Sequence, residues 1–255
     1  MKKIILLFTV VFLSIPFLTF AQGCMEASSD EGVNVVGYLQ SQFEYQFNED
    51  DNENSFTFNR ARMGLVGNIP YDFSYYIMFE FSQFQNGPYL LDGFITYSRL
   101  APWASISMGQ FKSPFSLELN TPCQGLHTIN RSMVVTQLAN PDRDRGIMFT
   151  GKYEKLLKYG LAFTNGRGRD KEEDNLNKAI SGRIVISPID FISVGAGYKA
   201  WHDPARDEDG EIIADADDDE RSRYSVDFEL KYDNILVQGE YIAGEDVGSS
   251  PVWGG

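Results

Sequence analysis

The chain has 255 residues and a formal net charge of −14, with 36 acidic against 22 basic side chains, a balance that gives no electrostatic footing for a nucleic-acid partner. Beyond residue 21 no apolar run reaches the roughly 20 residues that a membrane helix needs. The only two histidines, His127 and His202, stand in no metal-ligand spacing. Nineteen Phe, 13 Tyr and 23 Gly, with few helix-length patterns, favour β structure. Strands of a closed barrel alternate apolar and polar residues and so escape a hydropathy scan.

Residues 1–21 read as a secretory signal peptide: Lys2 and Lys3 are followed by an apolar stretch with Pro16 and the small-residue junction at Ala21. A transmembrane anchor and a lipoprotein junction ending at Cys24 are the weaker readings of the same segment. Cleavage after Ala21 removes Lys2 and Lys3 and leaves a charge of −16 on residues 22–255, the single domain expected here. Cys24 and Cys123 lie far apart in sequence. Two cysteines do not establish a bridge, and separate thiols are an equal reading.

Eleven segments after that read as strands. In 38–47, Leu39, Phe43, Tyr45 and Phe47 oppose Tyr38, Gln40, Gln42, Glu44 and Gln46. In 73–82, Phe73, Tyr75, Ile77, Phe79 and Phe81 oppose Ser74, Tyr76, Met78, Glu80 and Ser82. In 222–232, Tyr224, Val226, Phe228, Leu230 and Tyr232 oppose Arg223, Ser225, Asp227, Glu229 and Lys231. The connections alternate in length. Turns at 69–72, 100–104, 154–158, 187–190 and 233–234 take turns with longer links at 48–55, 83–89, 113–144, 166–178 and 202–220. Short turns at one end and long loops at the other is the habit of an outer-membrane barrel. Three of the long links, 48–55, 166–178 and 202–220, hold 18 of the 36 acids. The run 203–220 is a solvated loop in the simpler reading. As a cation site, Asp215, Asp217 and Asp219 within it lack the Gly and distal Glu of a calcium loop.

The 113–144 link is the longest, carries Pro114, Pro122 and Pro141, and shows no sustained helical or alternating period. Connections of that length inside a domain are usually functional. The expectation is that it folds into the barrel mouth.

This region resembles the phosphate-selective porin O and P family of Gram-negative outer membranes. The resemblance is carried by Gly109-Gln110-Phe111-Lys112-Ser113-Pro114-Phe115-Ser116-Leu117-Glu118, Ile129-Asn130-Arg131-Ser132, Arg143-Asp144-Arg145-Gly146-Ile147 and Thr164-Asn165-Gly166-Arg167-Gly168. Phe58-Asn59-Arg60-Ala61-Arg62 upstream and Ser181-Gly182-Arg183-Ile184 downstream extend it over the chain from about Val33. The resemblance implies an all-β, transmembrane antiparallel barrel of about 16 strands, a homotrimer in outer-membrane lipid, an inward third loop, and a basic channel passing small anions such as phosphate. Only eleven of those strands are legible, so residues 1–255 are expected to be an N-terminal portion of a longer protein.

By strand parity the lumen receives Arg60, Arg62, Arg183, Lys199, Arg223 and Lys231, alongside Glu44, Glu80, Asp227, Glu229 and Glu240. Each basic residue there serves conduction or a wall-to-wall salt bridge. In the long link, Lys112, Arg131, Arg143 and Arg145 either reach the constriction or pin the loop through Glu118, Asp142 and Asp144. Parity does not say which way Lys112 points. The expected anion-binding set is thus Lys112, Arg131, Arg143, Arg145, Arg60, Arg62, Arg183, Arg223 and Lys231, with no catalytic residue, metal ligand or cofactor. A Ser–His hydrolase on a barrel is the enzyme rival, but no Gly-x-Ser-x-Gly elbow is present. The other rivals are a non-conducting adhesin or receptor that binds through its acidic loops, and a secreted β-sandwich.

Overall fold

The structure is a computed structural model that describes residues 33–47, 53–82, 87–169, 171–173, 176–203, 219–246 and 252–254. The expected signal segment, Cys24 and residues 204–218 of the acidic run lie outside the described residues. Twelve strands form one antiparallel sheet in which every strand pairs with its sequence neighbours. They are β1 (Val33–Gln46), β2 (Glu53–Ile69), β3 (Phe73–Glu80), β4 (Tyr89–Tyr97), β5 (Ser105–Lys112), β6 (Arg143–Tyr153), β7 (Leu157–Thr164), β8 (Ala179–Ile189), β9 (Ile192–Asp203), β10 (Asp219–Tyr232), β11 (Ile235–Asp246) and the short β12 (Val252–Gly254). The first eleven answer to the eleven read from sequence. β12 pairs its three residues with Ile242, Ala243 and Gly244, a segment too short to announce itself by alternation. β1 and β12 are the ends of the sheet, and no ladder joins them among the described residues.

A meander of this kind puts alternate connections at opposite ends. The links 70–72, 98–104, 154–156, 190–191 and 233–234 fall at one end, and 47–52, 81–88, 113–142, 165–178 and 204–218 at the other. The alternation of faces is clear in β10, where Tyr224, Val226 and Phe228 are exposed while Arg223, Ser225 and Asp227 are buried. Apolar residues thus coat the outside and polar residues turn inward, the reverse of a water-soluble sandwich. Aromatic pairs collect beside the short turns: Phe73 with Tyr97 at 4.9 Å, Trp103 with Tyr153 at 5.4 Å and Phe191 with Tyr232 at 5.6 Å between ring centres. Amphipathic rings at that level form the girdle of a membrane barrel.

Two bulges break strict parity where the lumen is built. Gln40 pairs with Arg60 but Ser41 pairs with Phe58, leaving Asn59 as an extra residue in β2. Phe56 and Phe58 therefore face outward while Arg60 and Arg62, an even number of positions away, face inward. In β4, Met78 pairs with Asp92 and Phe79 with Leu90, so Leu91 is the extra residue. Leu91 and Asp92 are both buried, and the Gln110 amide donates to the Leu90 and Leu91 carbonyls at 2.9 and 3.1 Å. β5 owes its poor alternation to Gly109, whose φ of 137° suits glycine and which lies against the backbone of β4. The 187–190 turn is shorter than its sequence implies, because β8 continues to Ile189 across an irregularity after Ile186.

Candidate functional site

The long link begins where β5 ends at Lys112, and Ser113 N–H donates to the Asp142 carbonyl to close its base. It contains two short helices, α1 (Leu117–Asn120) and α2 (Met133–Leu138), and a 3-10 turn at Cys123–Gly125. These runs are too short to show a helical period, but their caps are ordinary. The hydroxyls of Ser116 and Ser132 accept from Leu119 and Val135 N–H. The Glu118 carboxylate accepts from both the amide and hydroxyl of Ser132, tying one helix to the start of the other.

Two walls of the sheet hold this link. On the β9–β11 side, the Glu240 carboxylate accepts from Leu117 and Glu118 N–H at 2.8 and 3.1 Å, and Ser225 Oγ donates to the Phe115 carbonyl at 3.1 Å. Lys199 donates to the carbonyls of Ala139 and Pro141. Ile242 joins Phe115, Leu119, Val135 and Ala139 in a fully apolar cluster. On the β2 side, Arg60 donates to the Ile129 carbonyl at 2.8 Å and to Asn130 Oδ1 at 3.3 Å, and Asn59 donates to Asn130 at 2.9 Å. The bulge at Asn59 is what brings both side chains onto the same segment. The link therefore spans the lumen from wall to wall.

Beneath it lies a cavity of about 750 Å³ reaching from Cys123 and Lys112 down to Ser74, Ser105 and Lys158 near the short turns. Its charged lining is Arg62, Lys112, Arg143, Lys158 and Arg183, with Asp92 the one acidic member. Arg62 is paired with Glu80 at 2.7 Å, Arg143 with Asp92 at 2.9 Å and Asp142 at 2.6 Å, and Arg183 with Asp227. Arg131 lies within the link and donates to the carbonyls of Glu118, Leu119 and Thr121, where a cation complements the end of α1. Its other guanidinium nitrogen and Arg62 both approach the Cys123 sulfur. Lys112 makes neither a hydrogen bond nor an ion pair among the described residues. The neighbouring cations, Arg143 above all, hold the Asp142 carboxyl below its ordinary value of 3.8 although burial opposes this.

Six of the nine basic residues expected from sequence are buried or partly buried around the link and the cavity beneath it. Lys112, Arg60, Arg62, Arg131 and Arg143 gather around the link, and Arg183 lies on the cavity wall. The structure places the other three elsewhere. Arg145 is exposed and donates to the carbonyls of Arg169 and Lys171, so it braces the next long loop. Arg223 is buried but belongs to a rim network, donating to Ser222 and Glu245 carbonyls and pairing with Asp246 at 2.8 Å. Lys231 is exposed beside the short turn. Sequence reading missed Asn59, Tyr38 and the Cys123 contact, because a bulge and a sulfur–guanidinium approach leave no periodic trace. Glu240 was legible as lumenal, but its role as the seat of α1 was not. Among the described residues no group of three His, Cys, Asp or Glu could hold a metal ion.

Comparison with solved structures places this architecture among porins. An anion-selective porin from Comamonas acidovorans superposes with a TM-score of 0.62 at 9% identity, covering 87% of this chain and 71% of that one. OmpT, an outer membrane protein of Vibrio cholerae, gives 0.53 at 13% identity, covering 88% and 69%. No curated protein sequence matches the chain. Residues 33–246 match the family described as phosphate-selective porin O and P, and the chain belongs to that family. It is thus an outer-membrane porin, from a family and fold of channels.

Proposed function

We propose that the chain forms a water-filled pore that prefers small anions, phosphate among them, and that its work is transport and not catalysis. The observation that carries this reading is the charge of the cavity under the cross-lumen link: five basic residues and one acidic residue line it, inside a protein whose net charge is −14. Charges beside a narrow passage act at close range, whereas charges on outer loops are screened beyond about 8 Å at physiological salt. Lys112 is the selectivity residue of this reading, since it alone of the group around the link is engaged by no carboxylate or carbonyl. The same reading includes export through the 1–21 signal segment, residues 22–255 as porin domain, residence in outer-membrane lipid and assembly as a homotrimer.

The test is a reversal potential. In a planar bilayer under a KCl gradient the channel reverses on the anion side. Lys112→Glu shifts it towards cations, and removal of residues 207–220 leaves it nearly unmoved. A cation-selective channel, or selectivity that follows the acidic loop, overturns the proposal.

A further inference from the structure

Cys123 sits where the link meets the β2 wall. Its sulfur accepts from Arg62 Nη1 at 3.2 Å and from Arg131 Nη1 at 3.6 Å, and it borders the cavity together with Lys112. The groups facing it are Tyr38 from β1, Arg60 and Arg62 from β2, Lys112 from β5 and Arg131 from the link. Lys112 supplies an independent observation. Its ammonium is largely withdrawn from water and repelled by Arg143 and Arg131, makes no hydrogen bond or ion pair among the described residues, and borders the same space as the thiol. An enclosed ammonium without a partner is unfavourable, and an anionic group entering the cavity would relieve it.

We propose that Cys123 and Lys112 form a covalent modification site for small anionic disulfides, at which the adduct throttles the pore. The anionic end of the reagent docks against Lys112 and brings its disulfide to the Cys123 sulfur. The thiolate attacks one sulfur, a new S–S bond forms to Cys123, the old S–S bond breaks, and the second half leaves as a thiolate. No electron acceptor is consumed beyond the disulfide itself. The four cations around the sulfur, with Arg62 foremost, outweigh a burial that opposes ionisation and bring the thiol to about 6. Cys123 is therefore largely thiolate at neutral pH, and the same cations favour an anionic reagent over a cationic one. The proposal rests on the reading of this cavity as part of the conduction path.

The experiment exposes the full-length channel in a bilayer at pH 7.5 to sulfonatoethyl methanethiosulfonate and, separately, to its trimethylammonium analogue. The transferred thioalkyl group is the same in kind, with methanesulfinate as the leaving group. The anionic reagent should add its mass to Cys123 about tenfold faster or more, with a stepwise fall in single-channel current that dithiothreitol reverses. Lys112→Gln should bring the two rates towards equality. Cys123→Ser should abolish both mass gain and current step, and Cys24→Ser should leave them. Equal or faster labelling by the cationic reagent, or no labelling of the folded channel, overturns the site. Labelling without a change in current overturns the throttling. The reversal potential of the same channels before treatment reports separately on anion preference, so that a failure of the pore reading is distinguishable from a failure of the site.

Discussion

Cys123 couples the charge of the constriction to pH. With its thiol at about 6, it carries a negative charge among Arg60, Arg62 and Arg131 at neutral pH and loses it as the medium becomes acidic. The guanidiniums stay protonated throughout, and Tyr38 and Lys112 complete the facing groups. The sign follows directly: protonation raises the net positive charge at the constriction by one, so anion preference should increase as pH falls from 7.5 to 5, with a midpoint near 6. Reversal potentials across that range measure it, and Cys123→Ser should flatten the step. The paired arginines contribute differently. Arg143 and Arg183 lie against Asp92 and Asp227, so much of their charge is already answered on the wall. The inward face of Arg183 was legible from alternation and Arg143 was expected in the long link, but whether either was paired was not, because pairing depends on which strand lies opposite and at what register.

The cross-lumen link depends on glycine at one point of contact. A Cβ at Gly197 would collide with the Phe115 carbonyl that Ser225 Oγ holds, and no rotation of a side chain relieves a clash with backbone. Gly197→Ala should unseat α1 from β9–β11, losing hydrogen bonds of about 0.5–1.5 kcal/mol each. Recorded single channels should show higher conductance and larger current fluctuations. Gly182→Ala is the control, since its Cβ would meet Leu161 at an ordinary 3.4 Å and touches no part of the link. Channels of Gly197→Ala indistinguishable from wild type would mean that the link does not restrict the passage. The inward course of this element was foreshadowed by its length and prolines. Its two anchors were not, since Asn59 reaches it through a bulge and Glu240 lies more than a hundred residues away.

Taken entire, the molecule is a curved sheet with an apolar outer coat and a charged inner surface. Val226 stands mid-strand on the outer face of β10 and is more than half exposed, while its neighbours Ser225 and Asp227 are buried. Val226→Arg should destabilise the folded protein in lipid vesicles by about 2–4 kcal/mol if that position lies near the bilayer midplane. Urea unfolding in vesicles measures the loss, and the same variant in a water-soluble sandwich would cost little. The order of the first eleven strands was readable because a meander needs only local alternation and short turns. The lumen was less readable because its shape arises from pairs of residues distant in sequence.

That distance has a consequence for how the channel is made. Leu117 and Glu240 are separated by 123 positions, and Arg60 and Ile129 by 69. The β2 anchor needs only a strand that precedes the link, while the β11 anchor waits for the six strands β6–β11 to join the sheet. Contacts so remote form late, because the intervening chain must first be ordered. An assembling intermediate should therefore hold its link by one end only, and the passage should narrow as one of the last steps of assembly. Limited proteolysis during refolding should find residues 113–122 accessible after the early strands are protected, then closed to protease when β11 joins the sheet.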